Sequence, residues 1–176
     1  MATLPSLSVE RFRNMPDDGR RYELHYGEMV EVGYPKQKYY DMQERLIEVL
    51  VARLPRSWQV SMEFPYRVWA EFELRFADVA VVSETRRAAT DPEDNLHGAP
   101  ELVIEVKSPS STPEELRELA ALCLAEGSLE FWVVDLESVS VTVVHRNGKI
   151  SVFGAGQVIP LAAFGGESLP VDEIFG

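Results

Sequence analysis

An α/β domain, a central mixed β-sheet flanked by helices, is what the sequence predicts, and three observations carry that expectation. Apolar positions recur at helical spacing from Lys38 to Leu54: Met42, Leu46, Ile47, Val49, Leu50 and Leu54. Three strand-like runs follow, at 58–64, at 66–82 with an interruption, and at 101–107. A second helical stretch then leads into the apolar run EFWVVDL at 130–136. The order helix, strand, strand, strand, helix, strand lets the second helix carry the chain across the sheet to a parallel neighbour. At 176 residues with 45% hydrophobic content, the chain forms one domain over 1–176 with a core of its own.

The elements follow from local chemistry. Ser8 caps a short helix through Met15, stopped by PDDG. RYELHYGEMVEV, residues 21–32, alternates Tyr22, Leu24 and Tyr26 with polar residues and turns at Gly27-Glu28, which predicts an N-terminal hairpin. The first long helix closes at Pro55. SETRRAATDPEDNLHGAP, between the second and third strand runs, reads as a long polar loop. Thr112, with Pro113 at the first helical position and Glu115 three residues past the cap, forms a capping box for a helix running to Glu126 and ending at Gly127. After the strand at 130–136, SVTVVHRNGKISVF turns at Asn147-Gly148 into a C-terminal hairpin. The tail is irregular, with a short turn at VDEIF.

Composition narrows the function classes. One cysteine, Cys123, excludes an internal disulfide framework, and its place among Leu116, Leu119, Ala120 and Leu122 on the second helix makes it a core thiol rather than a nucleophile. The N-terminal segment MATLPSLSVERFRNM lacks the pattern of a secretory leader and no apolar run approaches membrane-spanning length, so a soluble, cytoplasmic protein without a membrane partner is expected. Of 17 basic residues 13 are Arg, a bias shared by heat-adapted and by GC-rich sources. A net charge of -12 opposes nucleic-acid binding unless basic residues gather locally or metal ions intervene. Arg11, Arg13, Arg20, Arg21, Lys36, Lys38, Arg86 and Arg87 are the candidates, and each alone is ordinary solvated surface.

The chemistry concentrates in PELVIEVKSPSST, residues 100–112. Alternation puts Glu101, Val103, Glu105 and Lys107 on one face of the strand and Leu102, Ile104 and Val106 on the other. A carboxylate on a largely buried sheet requires a partner or an ion. Asp78 precedes the apolar run VAVV, and if it lies beside Glu105 the two carboxylates converge on a hard cation such as Mg²⁺ or Mn²⁺, completed by the Val106 backbone carbonyl and waters. Lys107 would orient a water or offset developing charge, as metal-assisted phosphodiester hydrolysis requires. Glu44, on the first long helix, is an auxiliary ligand candidate and Glu63 a weaker one. The ordinary alternatives are a strand-end cap for Asp78, a solvated helix face for Glu44 and, for Glu105 and Lys107, an ExK spacing that is commonplace in strands. His25, His97 and His145 lack ligand spacing, which argues against zinc, and no Gly-x-Ser-x-Gly elbow surrounds the serines of SPSSTP.

YELHYGEMVEV, ADVAVVSE, PELVIEVKSPSST and EGSLEFWVVDLESVSVTVV, in that order over residues 20–154, together resemble the Uma branch of bacterial restriction-endonuclease-like proteins, members of the PD-(D/E)XK nuclease superfamily. The resemblance implies a restriction-endonuclease-like core with the acid on the second strand and ExK on the third. By position Asp78 matches the acid of "PD", Glu105 the acid of (D/E)XK and Lys107 its lysine. Ala77 stands where the family has proline. Many relatives carry an apolar residue in place of Lys107 and a lysine on the following helix, where this chain has Leu119; the paired changes imply an ammonium relocated to the strand. Tyr39, Tyr40 and Asp41 stand where relatives often show a histidine.

The resemblance implies a Mg²⁺-dependent endonuclease hydrolysing DNA phosphodiester bonds. A homo-oligomer, a dimer or higher, would compensate for the acidic surface and offer two sites for a double-strand cut. The rivals are a non-catalytic nuclease-fold module for nucleic-acid or protein contacts and a metal-dependent hydrolase of small phosphoesters.

Overall fold

The computed structural model of the protein describes residues 6–69 and 71–176; residues 1–5, part of the N-terminal segment considered for a leader, and Ala70, inside the second predicted strand run, lie outside them. Helix α1, Val9–Arg13, starts at Ser8, whose side chain accepts the Arg11 N–H. Strands β1, Tyr22–His25, and β2, Glu28–Glu31, form the N-terminal hairpin, paired with each other and bridged to the main sheet at Leu24 and Leu74. Its turn falls at Tyr26-Gly27, one residue earlier than expected, with φ of 50° and 79°. A two-residue turn with both central residues left-handed matches the twist of its strands, and Gly27 takes that conformation without strain.

Helix α2, Gln37–Val51, buries Tyr39, Met42, Leu46, Val49 and Leu50 against the sheet. Strand β3, Trp58–Arg67, then runs through Pro65 instead of breaking there, and strand β4, Arg75–Ser83, begins later than the predicted run. The Phe76 amide, opposite Pro65, points away from β3 to Glu23 Oε1 at 2.9 Å. That makes the pair one without direct ladder bonds, so the donor Pro65 lacks is not missed.

The stretch expected to be a plain loop holds helix α3, Glu84–Ala89, capped by Ser83, and strand β5, Leu96–His97, which adds in parallel to the end of β3. Strand β6, Leu102–Val106, is followed by helix α4, Pro113–Ala125, with the predicted capping box. Strand β7, Glu130–Asp135, returns parallel to β6, and β8, Ser140–His145, and β9, Ile150–Phe153, form the C-terminal hairpin. The tail carries β10, Val158–Ile159, a 3-10 turn at Ala162–Phe164, β11, Leu169–Pro170, and helix α5, Val171–Phe175.

The main sheet has seven strands in the order β5-β3-β4-β6-β7-β8-β9, mixed in direction. One core, against α2 and the tail, gathers Leu46, Leu50, Val79, Ile104, Trp132 and Phe164. A second, against α4, gathers Tyr66, Ala80, Val103, Ala120, Cys123 and Phe131. The alternation of Ile104 and Val103 between them is the strand period at work. Helix α4 is the crossover that makes β6 and β7 parallel, and the helices on both faces fix the ends of β4 and β6, where the acids stand.

Candidate active site

Two hydrogen-bond ladders fail at the same place. The β3–β4 pairing runs through Met62–Val79 and resumes at Phe64–Ala77, leaving out Glu63 and Asp78, which stand opposite each other. The β4–β6 pairing stops at Val79–Ile104, and the next step brings Asp78 opposite Glu105. Asp78 Oδ2 accepts the Val106 N–H at 2.7 Å, so its carboxylate replaces the lost ladder bond and holds the strands apart. Glu63 has φ of 47°, a left-handed conformation that costs a non-glycine residue about 1–3 kcal/mol and tends to persist at functional sites.

The opening left by these breaks is a cleft of about 490 Å³ lined by Glu23, Glu63, Asp78 and Glu105, with Arg21 and Lys36 as its cations. Arg21 pairs with Glu63 Oε2 and its guanidinium lies 4.7 Å from the centre of the Phe76 ring. Glu23 comes from the N-terminal hairpin, held by the Phe76 amide and by His25 Nε2 at 2.6 Å. From α2, Gln43, wholly buried, donates through Nε2 to Glu63 Oε1 and to Asp78 Oδ1, 2.9 Å each. Its Oε1 is enclosed and has no hydrogen-bond partner among the described residues.

Burial sets the protonation of these acids, and their crowding adds to it. Burial pushes the Asp78 carboxyl up to about 7, with Glu63 and Glu23 adding to the push and the Val106 N–H and Arg21 opposing it. Burial likewise raises the Glu105 carboxyl well above the usual carboxylate range, reinforced by Asp78, Glu23 and Glu63 and opposed by Arg75. Arg75 is itself engaged by the buried Glu73 carboxylate at 2.7 Å.

The structure brings Asp78 and Glu105 together as expected, and Val106 lines the same cleft. Lys107 is placed elsewhere. It keeps the face that alternation gives it, but Nζ lies 2.8 Å from Asp135 Oδ2, at the next position of the β6–β7 pairing, in an adjoining hollow that shares Tyr39, Ser108, Pro109 and Ser111 with the cleft. Glu44 is exposed and outside the lining; the inward position on α2 belongs to Gln43, because the buried stripe passes through Tyr39, Met42, Gln43 and Leu46. Sequence reasoning passed over Gln43 since a neutral amide carries no charge signal, although its place within the apolar stripe was the available clue. Of the basic candidates, Arg21, paired with Glu63, and Lys36 line the cleft and Lys38 lines the adjoining hollow, whereas Arg13 is bound to Asp94, Arg20 to Glu31 and Arg86 to Glu101.

Among the described residues no group of three or more His, Cys, Asp or Glu side chains stands in metal-binding arrangement. The chemistry of the donors nevertheless fits a hard divalent cation. Two carboxylates confront each other while Lys107 Nζ is held by Asp135, and the enclosed Gln43 amide oxygen nearby has no hydrogen-bond partner among the described residues.

The family whose description reads Uma2, "Putative restriction endonuclease", matches residues 9–172. Among solved structures, a putative nuclease belonging to DUF820 from Anabaena variabilis shares the fold with a TM-score of 0.78 at 18% identity, over 96% of this chain and 97% of that one. Nothing matches among curated proteins. No helix of the described residues is long and apolar enough to cross a membrane.

Proposed function

The chain belongs to the Uma2 family, and from that membership we propose that it is a Mg²⁺- or Mn²⁺-dependent endonuclease hydrolysing DNA phosphodiester bonds in the cytoplasm. The observation that carries the reading is the placement of Asp78 opposite Glu105 where two ladders break. Asp78 is held in place by the Val106 and Gln43 N–H groups, one on each carboxylate oxygen. Asp78, Glu105 and the Val106 carbonyl would hold that cation, which when bound supplies Lewis-acid polarisation of the phosphoryl oxygen and an acidified water. Lys107 would offset charge on the phosphoryl group after leaving Asp135, across the wall the two hollows share. Lys36 and Arg21 at the cleft would meet the DNA backbone, and a homodimer would add the second set of contacts that the -12 charge calls for.

A non-catalytic module is the second reading, and the engagement of Lys107 by Asp135 favours it. Plasmid and linear DNA incubated with wild-type protein and Mg²⁺, Mn²⁺ or a chelator decide between them, with Glu105→Ala as control. Metal-dependent nicking lost in the variant supports the endonuclease. Intact DNA under every condition, with a folded protein, favours the module. Turnover of a bis-nitrophenyl phosphate ester that added DNA does not inhibit would redirect the assignment to small phosphoesters.

A further inference from the structure

Gln43 sits where a charged ligand would be expected, and its geometry is unusual for a buried amide. Its Nε2 lies 2.9 Å from one oxygen of Glu63 and 2.9 Å from one of Asp78, while Oε1 has no donor among the described residues. The other oxygens of the acids are already taken, Glu63 Oε2 by Arg21 and Asp78 Oδ2 by Val106. Two carboxylate oxygens on different strands therefore converge on one point, and the positive end of an amide occupies it.

We propose that Gln43 is a cation-responsive ligand: a divalent cation enters between Glu63 and Asp78, and the amide turns to give it Oε1. The proposal rests on the reading that this cleft takes a divalent cation, and it extends the ligand set to a residue of α2 and one of β3. Without a cation the turned amide would set an oxygen against two carboxylates, so Nε2 must face them. With a cation the same three oxygens become a hard donor set. The turn puts Oε1 where Nε2 now stands, 2.9 Å from each acid oxygen, which is close to the spacing of about 3 Å between neighbouring oxygens around an octahedral Mg²⁺ with Mg²⁺–oxygen distances of about 2.1 Å. The turn gives up the two N–H···O bonds to the acids and carries the amide N–H groups to the enclosed position now held by Oε1; the new Oε1–cation bond and the neutralisation of both carboxylates offset that loss. The left-handed backbone of Glu63 fits the same account, because it aims that carboxylate at Asp78 across a ladder that would otherwise have closed.

The test follows the side-chain amide of Gln43 by NMR while Mg²⁺ is added to wild-type protein, with calorimetry on wild type, Gln43→Glu and Gln43→Met. The Gln43 amide signals should move and saturate at the concentration where the heats saturate. Gln43→Glu should tighten Mg²⁺ binding and Gln43→Met weaken it, each by about tenfold or more. Signals that stay still while wild type binds Mg²⁺, or three equal affinities, overturn the proposal and leave the Asp78–Glu105 reading standing. No heat in wild type overturns both. The wild-type NMR arm holds even if a variant fails to fold.

Discussion

Lys107 Nζ lies 2.8 Å from Asp135 Oδ2, so the ammonium expected beside the acids of β4 and β6 reaches the other way, to β7. Asp135 is fixed in turn by the Glu137 amide at 2.9 Å on its Oδ1. The pair is at the surface, and Lys107 can exchange Asp135 for a phosphate without leaving a buried charge behind.

Exchange of this kind separates two variants. Lys107→Ala should lower cleavage by roughly 10²-fold or more, the scale of a lost electrostatic contact to the transition state. Asp135→Asn, which keeps the oxygen that receives the Glu137 amide while loosening the hold on Lys107, should leave cleavage and melting temperature no lower than in wild type. Full activity in Lys107→Ala would make the lysine merely a partner for Asp135.

Cys123 is wholly buried, 3.5 Å from the Tyr66 hydroxyl, and burial pushes its thiol up to about 12. A thiol with so little thiolate at neutral pH is a poor nucleophile. Iodoacetamide at pH 8 should leave the native protein unmodified by mass spectrometry and label it once in denaturant. Labelling of the native state would mean that the α4 face opens.

Asp94 gathers Arg13 at 2.6 Å, Arg67 at 2.9 Å and His97 at 2.7 Å, tying α1 to the end of β3 and to β5. Against the upward push of burial, the Asn95 amide, His97, Arg13 and Arg67 hold its carboxyl well below the usual carboxylate range. Asp94→Asn should cost about 1–3 kcal/mol at pH 7 by denaturant titration. Because the folded-state carboxyl is depressed, its contribution is present above about pH 4 and is lost as pH falls. The gap between wild type and variant should therefore narrow in acid, and a gap independent of pH would assign the loss to packing.

Much of this was legible in the sequence because the signals were long or chemically distinct. The apolar stripe of α2, the capping box at Thr112 and the Asn147-Gly148 turn each state their element locally. Helix α3 and strand β5 are too short to show a period, and Pro65 reads as a break in β3 because the direction of the Phe76 amide is a tertiary fact. At the site, strand alternation correctly placed Glu105 and Lys107 on one face. It could not say which neighbour Lys107 would reach, since β4 and β7 flank β6 on either side. On α2, charge singles out Glu44, whereas burial selects Gln43.

The confronting acids tie stability to pH in a direction opposite to that at Asp94. Burial pushes the Asp78 carboxyl up to about 7 in the folded protein against about 3.9 in an unfolded chain, so between those values the folded state holds the extra proton. The stability this contributes is fully present below about pH 4 and is lost as pH rises through about 7; raised Glu105 acts in the same sense. In chelator, wild type should lose on the order of a few kcal/mol relative to Asp78→Asn between pH 4 and pH 8. A divalent cation supplies the missing positive charge, so millimolar Mg²⁺ at pH 8 should restore wild type and leave Asp78→Asn nearly unchanged. Urea denaturation at both pH values, with and without Mg²⁺, measures all four differences. Parallel pH profiles for the two proteins would show that Asp78 is relieved in solution by a counter-charge, with Lys107 freed from Asp135 as the first residue to test by substitution.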